Sequence, residues 1–292
     1  MQSKAVKGYI FAILSAVIFG CMPLMSSFVY ADGGNPITLV FLRNALSLLP
    51  LGLLAYKERG TLKIPVKSLP SICIMGILGC NLTPVLLFSS YLFIPSGTAS
   101  VFHFAYPAVV MLGSIVLFKK KIQAVNVICV ILCVTGIAMF YSPGQSLNFT
   151  GSALALASAF TFAAYVLLLS RFDNSQVSGF TFTFYICLIS SITAFLICLV
   201  TNSFAFPATT FGWGMCVLFS LLVTTGAVVL FQQSTFLIGG EKVSILSTLE
   251  PITGVIIGGI FFHEAIGLRV FFGTALVVAA SILIVVFGKK KA

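Results

Sequence analysis

Charge is what this sequence is short of. Only 8% of its 292 residues are charged, with six acidic against sixteen basic side chains, two histidines and one tryptophan. A soluble domain covers itself with about 25% charged residues. A chain that is 59% hydrophobic, with a mean hydropathy of +1.15, has no such surface and reads as an integral membrane protein. Missing motifs narrow the chemistry further. There is no Gly-x-x-x-x-Gly-Lys-Ser/Thr phosphate loop, so ATP is not expected to drive this chain directly. Nor is there a His-Glu-x-x-His pair, and His263-Glu264 reads as a connection between apolar runs. Gly-x-Ser-x-Gly is lacking, and Asp32 and Asp173 fall in loops, so clustered residues for intramembrane proteolysis are missing. The eight cysteines all lie in apolar runs without a Cys-x-x-Cys, as buried thiols acting as small hydrophobes do. No metal or cofactor is expected. The net charge of +10 would suggest nucleic acid only as a patch on a soluble module, and the chain has none.

What is present is a succession of long apolar runs. A bilayer core of about 30 Å needs about 20 apolar residues per helix. Cutting at charges, prolines and glycines gives ten runs: 7–29, 36–55, 69–94, 97–118, 122–141, 150–170, 178–200, 212–238, 243–262 and 267–287. Lys4 and Lys7 before the first run resemble a signal peptide, but similar runs follow and one matches it in the second half, so it reads as the first span. With the N-terminus inside, one face collects Lys4, Lys7, Lys57, Arg59, Lys63, Lys67, Lys119 to Lys121, Arg171, Lys242 and Lys289 to Lys291. The other face keeps only Arg269, and Arg43 lies within a span. That asymmetry is the positive-inside signature and predicts both termini in the cytoplasm.

The two halves share an outline. Gly8, Ala12, Ser15, Ala16 and Phe19 stand 143 residues before Gly151, Ala155, Ser158, Ala159 and Phe162. Further on, Tyr106 and Pro107 stand 144 residues before Glu250 and Pro251. The expected fold is therefore all-α and polytopic, ten transmembrane helices in two five-helix repeats over residues 1–145 and 146–292. Five is odd, so the second copy enters the membrane inverted. Secondary transporters use that design, with a solute site near the midplane and alternating access by rocking of one half against the other.

Polar residues at helical spacing mark the faces expected to line such a site. They are Asn81, Pro84, Phe88 and Tyr91 in the third run, and Thr225, Val228, Gln232 and Thr235 in the eighth. The fourth run adds His103 and Tyr106, the ninth Ser247 and Glu250, the first Phe19 with Met22, and the sixth Phe162 with Tyr165. The mixture suits a small amphipathic solute better than a bare ion. Each residue also has a plainer reading. A carboxylate within a span is a functional hypothesis by default, yet Glu250 also has the option of bonding a neighbouring helix or a free amide near Pro251. His103 titrates in a useful range but a histidine satisfied between helices is commoner. Asn81 and Gln232 read equally as interhelical glue, the tyrosines as packing, and Arg43 as snorkelling to the interface or pairing with Glu250 or a solute carboxylate. Asn148-Phe149-Thr150 is a formal glycosylation sequon.

Leu249-Glu250-Pro251-Ile252, the glycine-containing run to Phe262-His263-Glu264 and a final span closed by lysines closely resemble the EamA family of the drug/metabolite transporter superfamily. The resemblance spans essentially the whole chain. It implies a bacterial inner-membrane transporter, often an exporter of amino acids or related metabolites, with a basket-like fold whose cavity is formed mainly by spans 1, 3, 4, 6, 8 and 9. In the motif, Glu250, Pro251 and Glu264 carry the second-repeat positions. The first repeat departs from it, with Lys119-Lys120-Lys121 where an acidic residue commonly closes the fourth span. The expected activity is secondary export of a small-molecule substrate, coupled to protons, by a monomer or weak dimer among membrane lipids. The solute-binding candidates are Phe19, Asn81, Phe88, Tyr91, His103, Tyr106, Tyr165, Gln232, Ser247 and Glu250. A lipid or lipid-linked-sugar flippase is the alternative, and a membrane-embedded enzyme a remote third.

Overall fold

A computed structural model describes residues 2–94, 96–119, 123–139, 148–175, 177–261 and 267–287, and they form helices and connections with no strand among them. Phe262, His263, Glu264, Lys120, Lys121 and Lys289 to Lys291 lie outside the described residues. Among the described residues, six helical stretches are long and apolar enough to cross a bilayer: Lys4–Ala31, Pro36–Glu58, Val66–Ser90, Phe149–Leu169, Gly179–Thr201 and Thr210–Ile238. Large apolar side chains point outward from them and their neighbours. Leu49, Leu53, Val116, Val200 and Leu268 are 64% to 84% exposed, which is tolerable only where lipid replaces water.

Two of the remaining apolar runs are not single helices, and proline explains both. The fourth breaks into α6 (Ser96–His103) and α7 (Tyr106–Phe118), and the ninth into α13 (Gly240–Leu246) and α14 (Leu249–Phe261). Pro107 and Pro251 sit in the first turn of α7 and α14, where a missing N–H costs least. The carbonyl that Pro251 cannot reach, that of Ser247, accepts from Glu250 N at 2.9 Å instead.

The third and eighth runs are continuous but not uniformly α-helical. The third comprises α4 (Leu69–Met75), a π-helical segment Gly76–Leu82 and α5 (Thr83–Ser90). The eighth comprises α11 (Thr210–Phe219), a π-helical segment Ser220–Ala227 and α12 (Val228–Ile238). The two segments begin 144 residues apart, 220 minus 76. A π turn closes i→i+5 bonds and so carries an extra residue. Pro84 deprives the Cys80 carbonyl of its α-helical donor, and Asn44 Nδ2 takes its place at 3.2 Å.

The most extensive helix contacts among the described residues join the chain's halves: α1 (Gln2–Phe19) along α12, α3 (Pro36–Arg59) along α10 (Gly179–Thr201), α5 along α9 (Phe149–Leu169), and α8 (Ala124–Ala138) along α15 (Leu268–Phe287). Small residues and polar bonds do the joining, as expected where water supplies no drive for helix association. Asn35 caps α3 through Thr38 N at 2.8 Å, while Thr38 Oγ1 accepts from Ala205 N at 3.0 Å beyond the end of α10. Asn148, the sequon asparagine, caps α9 by accepting from Gly151 N at 3.1 Å.

Candidate functional site

A cavity opens where these interrupted helices converge. Its walls are Phe19 and Met22 at the α1–α2 junction (α2, Met22–Ala31), Arg43 of α3, and Gly79, Cys80, Thr83, Pro84, Leu87 and Phe88 of the third run. His103 of α6, Phe162 and Tyr165 of α9, Val228 and Phe231 of α12, and Glu250 of α14 complete it. About 60 Å³ is open to the centre of a water-sized sphere. One water needs only about 10–15 Å³ of such space, so the site has room for several waters or a small solute.

Aromatic rings form one side as a connected group. Phe162 is the hub, with ring centroids 4.8 Å from Tyr106, 5.4 Å from Phe231, 5.6 Å from His103 and 5.7 Å from Tyr165. Phe19 joins through Phe231 at 6.3 Å. These are edge and tilted geometries that lock rings against one another. Gly79 is a glycine for a steric reason, because a Cβ there would stand 2.6 Å from Tyr165 Cγ and Cδ2.

The polar groups divide into those that face the cavity and those already engaged. Glu250 belongs to the first kind: it sits in the first turn of α14 and lines the cavity. Among the described residues its carboxyl has no hydrogen bond and no ion pair. His103 is buried, with Nδ1 2.8 Å from Ser158 Oγ. The Ser158 hydroxyl gives its single proton to the Ala155 carbonyl at 2.6 Å, so it accepts from the imidazole. His103 therefore carries its proton on Nδ1, and Nε2 is left as an acceptor.

Of the ten residues singled out in the sequence, Phe19, Phe88, His103, Tyr165 and Glu250 line the cavity together. The other five stand behind it. Asn81 gives its amide to the Ser190 carbonyl at 3.1 Å and to Thr193, both on α10. Gln232 is fully buried, its amide bonded to the hydroxyls of Thr183 and of Tyr165, the latter at 3.1 Å. Gln232 thus orients a wall residue. Ser247 returns its hydroxyl to the Val243 carbonyl at 3.0 Å. Tyr106 presents a ring edge to Phe162 while its hydroxyl points to the Ser244 carbonyl at 3.4 Å. Tyr91 packs on Phe88 at 5.9 Å.

The phase error has a physical cause. A 3.6-residue period puts Asn81 on the same face as Pro84 and Phe88, but the π segment widens the spacing, so Gly79, five residues before Pro84, takes that place. Gly79, Cys80, Thr83, Leu87 and Phe231 went unmarked for want of polarity or expected phase. Arg43 corrects a second reading. It neither snorkels nor forms an ion pair among the described residues; it is only 3% exposed and lines the cavity. Its guanidinium carbon lies 5.8 Å from the Phe88 ring and 5.7 Å from that of Phe219.

The sequence model of the EamA-like transporter family matches twice, over residues 6–142 and 149–286. A protein of Clostridium kluyveri named as an uncharacterized transporter is 20% identical over 289 residues, covering 95% of this chain and 92% of that one. A similarly named protein of Synechocystis is 26% identical over 236 residues, covering 76% and 69%. One solved crystal structure shares the fold with a TM-score of 0.78 at 17% identity, covering 94% of this chain and 95% of its own.

Proposed function

Because the chain belongs to the EamA-like transporter family, we propose that it is a secondary transporter exporting a small amphipathic metabolite, such as an amino acid, by alternating access around this cavity. The observation that carries the reading is the cavity's make-up: both halves of the chain line it, and an unpaired carboxyl faces into it among aromatic walls. Helices broken or widened at corresponding points of two halves are how such proteins build a midplane site. Its modest size favours a small metabolite over a lipid.

Ten spans in two inverted repeats, over residues 1–145 and 146–292, agree with the helix contacts. A two-fold axis exchanging the first span with the sixth and the third with the eighth turns the α1–α12 contact into the α9–α5 contact. The same axis returns α3–α10 and α8–α15 to themselves. The basic residues gathered on one face support cytoplasmic termini in a bacterial inner membrane. Phe19, Phe88, His103, Tyr165 and Glu250 contact the solute. Glu250, with His103 Nε2 as the second candidate, takes up the coupling proton.

The test is flux in proteoliposomes with a panel of amino acids, with and without a pH gradient. Glu250→Gln keeps the shape and removes the titratable group, so gradient-driven flux should fall to its gradient-free value while exchange of solute at equal pH persists. Unchanged pH dependence in that variant removes the proton role. Absence of flux for every small solute under every gradient removes the transport reading.

A further inference from the structure

We propose that Arg43 is the carboxylate receptor of the cavity, the residue that restricts transport to solutes bearing that group; the proposal rests on the transport reading above. Arg43 lies seven residues into α3, within a span, yet reaches neither interface and lines the cavity wall. A guanidinium has five N–H donors and stays charged, and Nε has no partner at all among the described residues. Its neighbours are the thiol of Cys80, with which it shares a hydrogen bond, the thiol of Cys187 and the phenol of Tyr30, with none a carboxylate. The flanking faces of Phe88 and Phe219 offset part of the cost of desolvating a cation but supply no hydrogen-bond acceptor. Glu250 lines the same cavity without pairing to Arg43. The described residues therefore place no carboxylate against this buried charge, and a buried charge ordinarily requires a counter-ion.

A solute carboxylate meets that need. Its two oxygens match the planar fork of the guanidinium, one negative charge to one positive. A phosphate dianion fits less well, since one guanidinium would leave it half neutralised in a cavity that also holds Glu250.

The test uses purified full-length protein in proteoliposomes and matched pairs of solutes: alanine and alaninamide, leucine and leucinamide, phenylalanine and phenylalaninamide, with the aminophosphonic analogue of each acid. Wild type should move at least one acid and discriminate against its amide. Arg43→Gln should raise the KM for the acid about 10- to 100-fold, the range for losing a charge-assisted hydrogen-bonded pair, and abolish the discrimination. Arg43→Lys, which keeps the charge without the fork, should restore part of both. A purely structural arginine would instead lower the thermal stability of both variants and leave the acid-to-amide ratio unchanged, which overturns the proposal. Preference for the amide or for the phosphonate in wild type also overturns it. If wild type moves no solute under any gradient, the transport reading fails and this proposal with it. Flux that ignores the carboxylate defeats the Arg43 assignment alone.

Discussion

Gly79→Ala is the smallest change that tests the geometry of the site. The added methyl would sit 2.6 Å from Tyr165 Cγ and Cδ2 and 2.9 Å from Cδ1, whereas carbon atoms in favourable contact are about 3.5–4.0 Å apart. The ring or the helix has to yield by about 1 Å. Tyr165 has little freedom: its hydroxyl is held by Gln232 at 3.1 Å, and its ring lies against Phe162 and Phe231. The open direction is the cavity. Replacing a helical glycine by alanine gains about 1 kcal/mol of intrinsic propensity, but overpacking a fitted interface costs about 1–3 kcal/mol. The net effect expected is mild destabilisation, up to about 2 kcal/mol, together with a clear loss of flux. The assay pairs unfolding in mixed detergent micelles with uptake into proteoliposomes, for Gly79→Ala, Tyr165→Ala and the double variant. Removing the ring relieves the clash, so the double variant should be more stable than the sum of the single effects predicts. Additive losses, or a Gly79→Ala protein with wild-type stability and flux, would refute the close approach of α9 to the π segment.

Two further predictions separate wall residues from supporting ones. Asn81→Ala removes the bonds to Ser190 and Thr193 and should cost about 1–2 kcal/mol of stability. KM for solute should stay unchanged in flux assays, because the side chain is turned away from the cavity. Ser158→Ala leaves His103 Nδ1–H without its acceptor, a penalty of about 1–3 kcal/mol, and frees the imidazole to change tautomer. Nitrogen-15 NMR of labelled histidine should report a proton confined to Nδ1 in wild type and a mixture in the variant. A wild-type spectrum with the proton on Nε2 would contradict the assignment.

Much of the molecule is legible without coordinates because lipid imposes a severe and uniform constraint. Scarce charge and runs of about 20 apolar residues define a membrane chain. Tyr106-Pro107 and Glu250-Pro251, 144 residues apart, mark matching points of the two halves. Glu250 and His103 are conspicuous as titratable groups among apolar neighbours. These are local properties, and the sequence alone determines them.

Orientation about the helix axis is not local. An extra residue in a turn rotates everything beyond it by about 100°, which moved Asn81 behind the wall and brought Gly79 into it. Next to that widening, Asn44, on a different helix, satisfies the Cys80 carbonyl that Pro84 abandons. Arg43 shows the same dependence. Its composition and depth fit snorkelling or pairing equally well, and only the packing of α3 against the third and eighth spans turns it between Phe88 and Phe219 and into the cavity. Which polar groups meet the solute and which hold the helices together was decided by contacts between distant parts of the chain.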